Sequence, residues 1–342
     1  MEFIVPADFL RSLEKGETMT TKERLLELFE ANKGVYFSGE EIAGKLQMSR
    51  AAVWKAVKSL RNEGYQIDAV TNKGYCLAVE TDILSPQGIQ KYLNLENGHL
   101  DIVVVPVTSS TNILVKEKAG QGGAEGFTVI ANEQTAGRGR RGRTFFSPCG
   151  TGLYMSILLR PANYSASQAV RITTMAAVAV CESIEEVSDV KAEIKWVNDI
   201  FIDGKKVCGI LTEGSFDLES GMLDYAVLGV GINVYQPSGE VPEELKAIVG
   251  SVFEKPQNDM KNRLAAAFLN RFMGYYHAQN YADYIEKYRS RSLAVGRQVQ
   301  VISANQTREA FAYGVNDECE LLVRYEDGTC ENLSSGEISI RV

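Results

Sequence analysis

The chain of 342 residues has only two histidines, His99 and His277, and its six cysteines (Cys76, Cys149, Cys181, Cys208, Cys319 and Cys330) include no CxxC pair. Neither a structural zinc site nor a Ser-His-Asp triad is therefore expected. The scattered cysteines read as reduced packing residues. No apolar run nears the eighteen or so residues of a membrane span; AVAVC at 177–181 and AVLGVGINV at 226–234 are among the longest. The N-terminus, MEFIVPADFLRSLEKGE, is broken by acidic residues and makes a poor secretory signal. A cytoplasmic protein without a membrane partner is expected. No GxxxxGK[ST] string occurs, which removes the P-loop. Positive charge is short too: 36 lysines and arginines against 44 aspartates and glutamates leave a formal charge of −8, so any nucleic acid contact must come from a local patch.

Such a patch lies near the N-terminus. Residues 21–33, TKERLLELFEANK, carry leucines and Phe29 at helical spacing, with Gly34 as a stop. Ser38 opens a capping box with Glu41, and a short second helix follows. Ser49 can cap a third, SRAAVWKAVKSLRNEG, with Val53, Val57 and Leu60 on its core face and Arg50, Trp54, Lys55 and Lys58 on the other. Two alternating segments around T-N-K-G, reaching Lys73, read as a hairpin. Three helices with a tight second turn and then a β-ribbon form a winged helix-turn-helix pattern. From Lys45 to Lys73 six basic residues face only Glu63 and Asp68, a local charge of +4 inside an acidic chain. Ser49, Arg50, Trp54, Lys55, Lys58 and Lys73 are the candidate DNA contacts. The competing possibility is a solvated helix face with Trp54 in a small core.

At about twice a typical domain length the chain should hold two or three domains. Strand candidates at 101–107, 127–134, 152–159, 192–196, 199–203, 206–214 and 224–234 alternate with helix candidates at 109–119, 166–187 and 258–279. Short strands punctuated by Asn-Asp, Asp-Gly and Ser-Gly turns close the chain. The expected fold is α+β and multi-domain: an extension at 1–20, a winged helix-turn-helix at 21–80, a mixed-sheet α/β catalytic domain at 81–290, and a small SH3-like β-barrel at 291–342.

The sharpest chemical feature is NEQTAGRGRRGR. Its glycines let backbone approach phosphate closely and its arginines offer planar forks for oxygen pairs. GxGxxG is present, but Arg-Thr-Phe-Phe-Ser-Pro follows where a dinucleotide fold needs a helix. Lys195 sits on a candidate strand beside Trp196, where a charge is costly unless an anion meets it; the alternative is an edge-strand lysine. Ser109-Ser110-Thr111-Asn112 follows another strand, and such a cluster by itself is more often a helix cap than a ligand site.

In order, SSTN, EQTAGRGRRGR, KWVND, KVCGIL and GVGIN resemble the motifs of the biotin protein ligase family, over about residues 21–342. With the winged helix in front, the resemblance is to its bifunctional members, which also repress biotin genes. It implies that biotin and ATP, with Mg²⁺, give biotinyl-5′-adenylate and pyrophosphate, and that biotin then passes to a lysine of the biotin carboxyl carrier protein of acetyl-CoA carboxylase or another biotin-dependent carboxylase. By position, Ser110, Thr111, Asn112 and Gln134 would line the biotin site, and Arg138, Gly139 and Arg140 would belong to the loop closing over it. Lys195 would touch the biotin carboxylate and the α-phosphate, so Lys195, Arg138 and Arg140 are the candidate catalytic residues. Arg141, Arg143, Phe145, Asn198 and Asn233 would meet the adenylate. Val197 stands where the family usually has proline, and Phe145 where many members have tryptophan. The resemblance also implies a homodimer formed with biotinyl-adenylate that binds palindromic operator DNA. A ligase without a DNA role, a lipoate-type ligase and a ligand sensor that has lost catalysis are the alternatives.

Overall fold

A computed structural model of the chain describes residues 19–94, 100–162, 164–165, 168–217, 219–237, 241–278, 282–302 and 306–340. Apart from Met19 and Thr20, the extension expected at 1–20 lies outside them, as does His99. The chain divides into two compact units, one formed by residues up to Leu93 together with Lys255–Ala267, the other by Asn94–Glu254 and Phe268 onward.

In the first unit, helices α1 (Thr21–Glu30), α2 (Gly39–Leu46) and α3 (Arg50–Asn62) precede a hairpin of β1 (Ile67–Val70) and β2 (Gly74–Leu77). Ser38 and Glu41 form the expected capping box, and a second one, Thr20 with Glu23, starts α1. Ser49 accepts the Ala52 amide at 3.1 Å and so starts α3. Each such cap is worth about 1 kcal/mol. Gln47 takes the left-handed conformation (φ 53°) and ends α2, which makes the turn into α3 tight. Leu25, Phe29, Ile42, Val53, Val57, Leu60 and Leu77 are buried together, each worth roughly 1.5–3 kcal/mol. Phe37 pairs with Tyr75 across the wing, and a Cβ on Gly74 (φ 97°) would lie 2.0 Å from the Phe37 carbonyl oxygen, so only glycine fits there.

A later part of the chain returns to this unit. Asp259 joins Glu30, Lys33 and Lys91 in a buried tetrad, with Lys33–Asp259 at 2.9 Å, Lys91–Glu30 at 2.8 Å, Lys33–Glu30 at 3.2 Å and Lys91–Asp259 at 2.5 Å. Two charges of each sign leave the cluster neutral, the condition under which buried charge is tolerated.

The second unit is built on a seven-stranded mixed sheet in the order β3-β4-β5-β9-β8-β7-β6. Its strands are β3 (Asp101–Val105), β4 (Phe127–Ala131), β5 (Gly152–Leu159), β6 (Glu193–Lys195), β7 (Asp199–Ile202), β8 (Lys205–Phe216) and β9 (Leu223–Asn233). Only β3 and β4 run parallel, since the helix Thr111–Gly120 carries the chain from one to the other. That helix packs on β4, β5 and β9, while the helix Ala169–Val187 packs across β6 to β9. Residues 172–181 of the latter are buried throughout, which explains their apolar run without a membrane. Several strands end earlier than periodicity suggests: β3 stops at Val105 and β4 at Ala131.

Residues from Arg297 form a five-stranded antiparallel sheet that includes β11 (Thr307–Val315), β12 (Leu321–Tyr325) and β13 (Cys330–Leu333) and is ordered β13-β12-β11-β10-β14. Its last strand, β14 (Glu337–Ile340), returns beside β10 (Arg297–Ile302). Trp196 Nε1 donates to the Cys319 carbonyl at 3.0 Å and Tyr288 hydroxyl to the Val197 carbonyl at 3.1 Å, so the terminal sheet is fastened beside Lys195. Among the cysteines, Cys76, Cys181, Cys208 and Cys319 are buried, as packing residues should be; Cys149 and Cys330 are exposed and correct that expectation. Cys149 lies beside Gly150 in a turn, and Cys330 begins the strand Cys330–Leu333. No helix of the described residues is long and apolar enough to cross a membrane.

Candidate functional site

A cavity of about 390 Å³ opens where the ends of β5, β8 and β9 meet the glycine–arginine loop. Ser110, Thr111, Asn112, Gln134, Arg138, Gly139, Arg140, Arg141, Arg143, Phe145, Lys195, Asn198 and Asn233 all line it, although they span more than 120 positions of sequence. Antiparallel pairing explains the convergence: Lys195 faces Asp199 across β6–β7, Asp199 faces Gly209, and Gly209 faces Gly231 across β8–β9. Lys195 does sit on an edge strand, yet its side chain is half-buried on the cavity wall, with the ammonium 5.7 Å from the Phe201 ring centre. Burial lowers its pKa, against the opposing pull of the Asp199 charge. No carboxylate among the described residues lies within ion-pair distance of it. A lysine in that state is suited to an anionic ligand.

Glycines shape the wall. A Cβ on Gly231 would lie 2.4 Å from the Phe145 ring, and one on Gly229 would lie 2.3 Å from Asn112 Oδ1. The GVG string is therefore space left for two side chains from elsewhere. Phe145 rests edge-on to Tyr154 with ring centres 6.4 Å apart. In the loop, Arg141 holds a left-handed backbone (φ 55°), a conformation disfavoured for residues with a Cβ.

The polar residues divide by how their atoms are spent. Ser110 is the residue preceding the helix Thr111–Gly120, but its hydroxyl makes no capping bond, so the cap alternative does not hold. Gln134 accepts the Thr111 amide at 2.9 Å and donates to Ser147 Oγ at 3.0 Å. Asn198 accepts from Arg140 at 2.9 Å and donates to the Ile210 carbonyl at 2.9 Å, while Asn233 donates to the Gly250 carbonyl at 3.0 Å. These amides brace the cavity, and Asn198 in particular aims Arg140.

Five groups at the site went unread in the sequence. Glu337 on β14 pairs with Arg143 at 2.8 Å and Arg141 at 3.6 Å, and the Gly336 carbonyl accepts from Arg140 at 3.1 Å. These partners are nearly two hundred positions apart, with no local signal joining them. Lys206, paired with Asp199 at 2.7 Å, supplies a second ammonium to the cavity. Ser156 and Glu213 hold Asn112 from opposite sides, at 2.6 and 2.7 Å. A carboxylate and a hydroxyl inside otherwise apolar strands were the available signal.

On the winged helix, Ser49 is spent as the cap of α3, whereas Arg50, Lys55, Lys58 and Lys73 are exposed. Trp54 is 54% exposed, which removes the small-core alternative, and Lys58 lies over its ring at 5.3 Å. Lys73 lies over Tyr36 at 5.8 Å. The convex α3 face and the wing thus present one cationic surface.

Comparison with known proteins agrees with this arrangement. Residues 104–233 match the family model of the biotin/lipoate A/B protein ligase family, residues 21–76 an HTH domain, and residues 294–341 the biotin protein ligase C-terminal domain. The chain is 35% identical to the bifunctional ligase/repressor BirA of Bacillus subtilis, over 90% of this chain and 95% of that protein. It is 29% identical to the Escherichia coli protein of the same description, over 90% and 94%. The biotin protein ligase of Aquifex aeolicus, solved with biotin and ATP, superposes with a TM-score of 0.59 at 27% identity, over 70% of this chain and 98% of that one. The fold is that of a biotin protein ligase, and the chain belongs to that family. Its N-terminal helix-turn-helix places it with the bifunctional ligase/repressors.

Proposed function

We propose that the protein activates biotin with ATP to biotinyl-5′-adenylate, transfers biotin to a lysine of a biotin carboxyl carrier protein, and, as a homodimer loaded with the adenylate, represses biotin genes at an operator. The single observation that carries the ligase reading is the half-buried Lys195, with no carboxylate partner among the described residues, set in one cavity with the loop arginines. The first step needs no general base, because biotin's carboxylate is already ionised at pH 7. What it needs is relief of repulsion between two anions. Lys195, Arg138 and Arg140 are suited to hold carboxylate against α-phosphate and to stabilise the charge that develops on transfer.

Mg²⁺ comes with ATP as part of the substrate, held largely by phosphate oxygens and water. Among the described residues no cluster of three His, Cys, Asp or Glu side chains forms a metal cage, which fits an ion carried in by the nucleotide. Transfer requires a neutral lysine amine on the carrier, whose free pKa is about 10.4. Asp199 pairs with Lys206 at 2.7 Å and holds that ammonium at the cavity. Closure of the glycine–arginine loop excludes water from the mixed anhydride.

Residues 21–80 serve as the DNA-binding module, 81–290 as the catalytic domain and 291–342 as the barrel that braces the loop through Glu337. The protein works in the cytoplasm, where its six free cysteines stay reduced. Relatives that match through the winged helix as well as the ligase favour the bifunctional reading over a ligase alone or a lipoate-type enzyme. ATP–pyrophosphate exchange with biotin or lipoate in parallel tests it. Exchange stimulated by biotin alone is expected; folded protein giving no exchange with either acid overturns the proposal.

A further inference from the structure

Helix α3 buries Val53, Val57 and Leu60 and leaves Arg50, Ala51, Trp54, Lys55 and Lys58 exposed on its other side. None of its three cations there is paired with a carboxylate among the described residues. The Ser49 hydroxyl is spent on the Ala52 amide. Lys58 reaches back one turn to place its ammonium 5.3 Å from the Trp54 ring centre, which holds the indole on the N-terminal half of the helix. That half is the part of a recognition helix that meets base edges.

Each base edge in the major groove suits a particular side chain. Guanine offers two acceptors, for arginine or lysine. Adenine sets an acceptor beside a donor, for asparagine or glutamine, and cytosine offers a donor, for a carboxylate. Thymine alone offers an apolar methyl group. The string RAAVWKAVK from 50 to 58 has no Asn, Gln, Asp or Glu, so this half of the helix has neither the two-bond adenine contact nor the cytosine contact. What remains is guanine, through Arg50, and the thymine methyl, through an apolar surface. Ala51 and Trp54 supply that surface: a side chain short enough to let the helix lie close in the groove, and an indole that is more than half exposed.

We infer that Trp54 is a specificity-determining residue of the DNA-binding unit, reading A·T pairs of the operator through the 5-methyl group of thymine. The inference rests on the repressor reading. Cations at phosphates supply most of the affinity and carry no sequence information. The indole adds discrimination, because packing a methyl group against it removes apolar surface from water, whereas cytosine or uracil leaves a gap there.

A duplex selected from a random library by the full chain with biotin and ATP provides the probe. Each of its thymines is then replaced by uracil, which removes only the methyl group. At one or two positions of each half-site the uracil duplex is expected to bind wild type about fourfold more weakly, the worth of one buried methyl. Trp54→Ala should bind thymine and uracil duplexes alike at those positions and keep the wild-type salt slope, since no phosphate contact is lost. Trp54→Phe should restore part of the discrimination. A tryptophan with a structural role alone would weaken both duplexes equally and leave their ratio unchanged. Equal binding of every uracil duplex by wild type overturns the inference, as does an unchanged thymine-to-uracil ratio in Trp54→Ala that melts like wild type. Should Trp54→Ala fail to fold, Trp54→Gln carries the same outcomes and should in addition shift selection toward adenine at the position read. Wild type that selects no duplex overturns the repressor reading itself, a result visible before any thymine is replaced.

Discussion

Replacing Lys195 with alanine removes an ammonium that the fold holds half-buried, with no carboxylate partner among the described residues. Two unit charges 4 Å apart at an effective dielectric constant near 20 attract by about 4 kcal/mol. Part of that attraction already operates in the bound ground state, and Lys206 and Arg140 remain at the cavity, so the whole is not lost from the barrier. A loss of two to three orders of magnitude in biotin-dependent ATP–pyrophosphate exchange is expected, since each 1.4 kcal/mol is tenfold. The effect should fall on kcat as well as on kcat/KM, because neutralisation matters most where carboxylate and phosphate meet. The pH profile provides a second readout. Burial lowers the pKa of Lys195, and the charged form is the active one, so activity should fall as pH rises through a value below the ordinary lysine range. Lys195→Arg, whose charge persists, should lose that alkaline limb. Unchanged exchange by folded Lys195→Ala at saturating substrates would remove this lysine from the mechanism.

Lys55→Ala with Lys58→Ala should weaken operator binding about tenfold or more near 0.1 M salt and lower the salt slope by about 2, as two lost phosphate contacts require, with biotin transfer intact. Loss of both activities together would point to misfolding. Gly231→Ala drives a methyl to 2.4 Å from the Phe145 ring, so the ring must shift by about 1 Å; KM for ATP should rise about tenfold while that for biotin changes little, and equal effects on both would count against Phe145 as the nucleotide platform. Asp259→Asn unbalances the buried tetrad and should cost about 3 kcal/mol in denaturant unfolding, with less than 1 kcal/mol refuting its weight. The acid limb follows in sign. Burial opposes ionisation of Asp259, but bonds from Lys91, Lys33 and Asn262 hold its folded pKa below the unfolded one. Its contribution is complete above about pH 4 and is lost as pH falls through the folded value, so wild type should melt earlier in acid and the variant should show a flatter profile.

Much of the site was legible because its residues sit in contiguous strings. SSTN, EQTAGRGRRGR, KWVND and GVGIN each lie at the end of a strand, where polar residues interrupt an apolar pattern, and those ends meet at the cavity. The roles within it were less legible. Asn198 and Asn233 line the cavity as expected, and the bonds of their amide nitrogens to the Ile210 and Gly250 carbonyls were not readable from the sequence. Trp54 was ambiguous between core and surface until α3 was packed, since one helical position serves either face depending on its neighbours.

The sequence by itself determined the local structure: the caps at Ser38 and Ser49, the α3 cationic face, the strand and helix order, and the chemistry of the glycine–arginine loop. These depend on residues within a few positions of one another, and short-range hydrogen bonding and periodicity are written in that range. Tertiary structure alone decided which distant groups meet: Glu337 with the loop arginines, Asp259 with Lys33, Glu213 with Asn112. Each of these pairs a charge with a polar or charged group more than a hundred positions away, or nearly so. Partner choice there depends on strand register and on what is buried, and neither is set by local sequence.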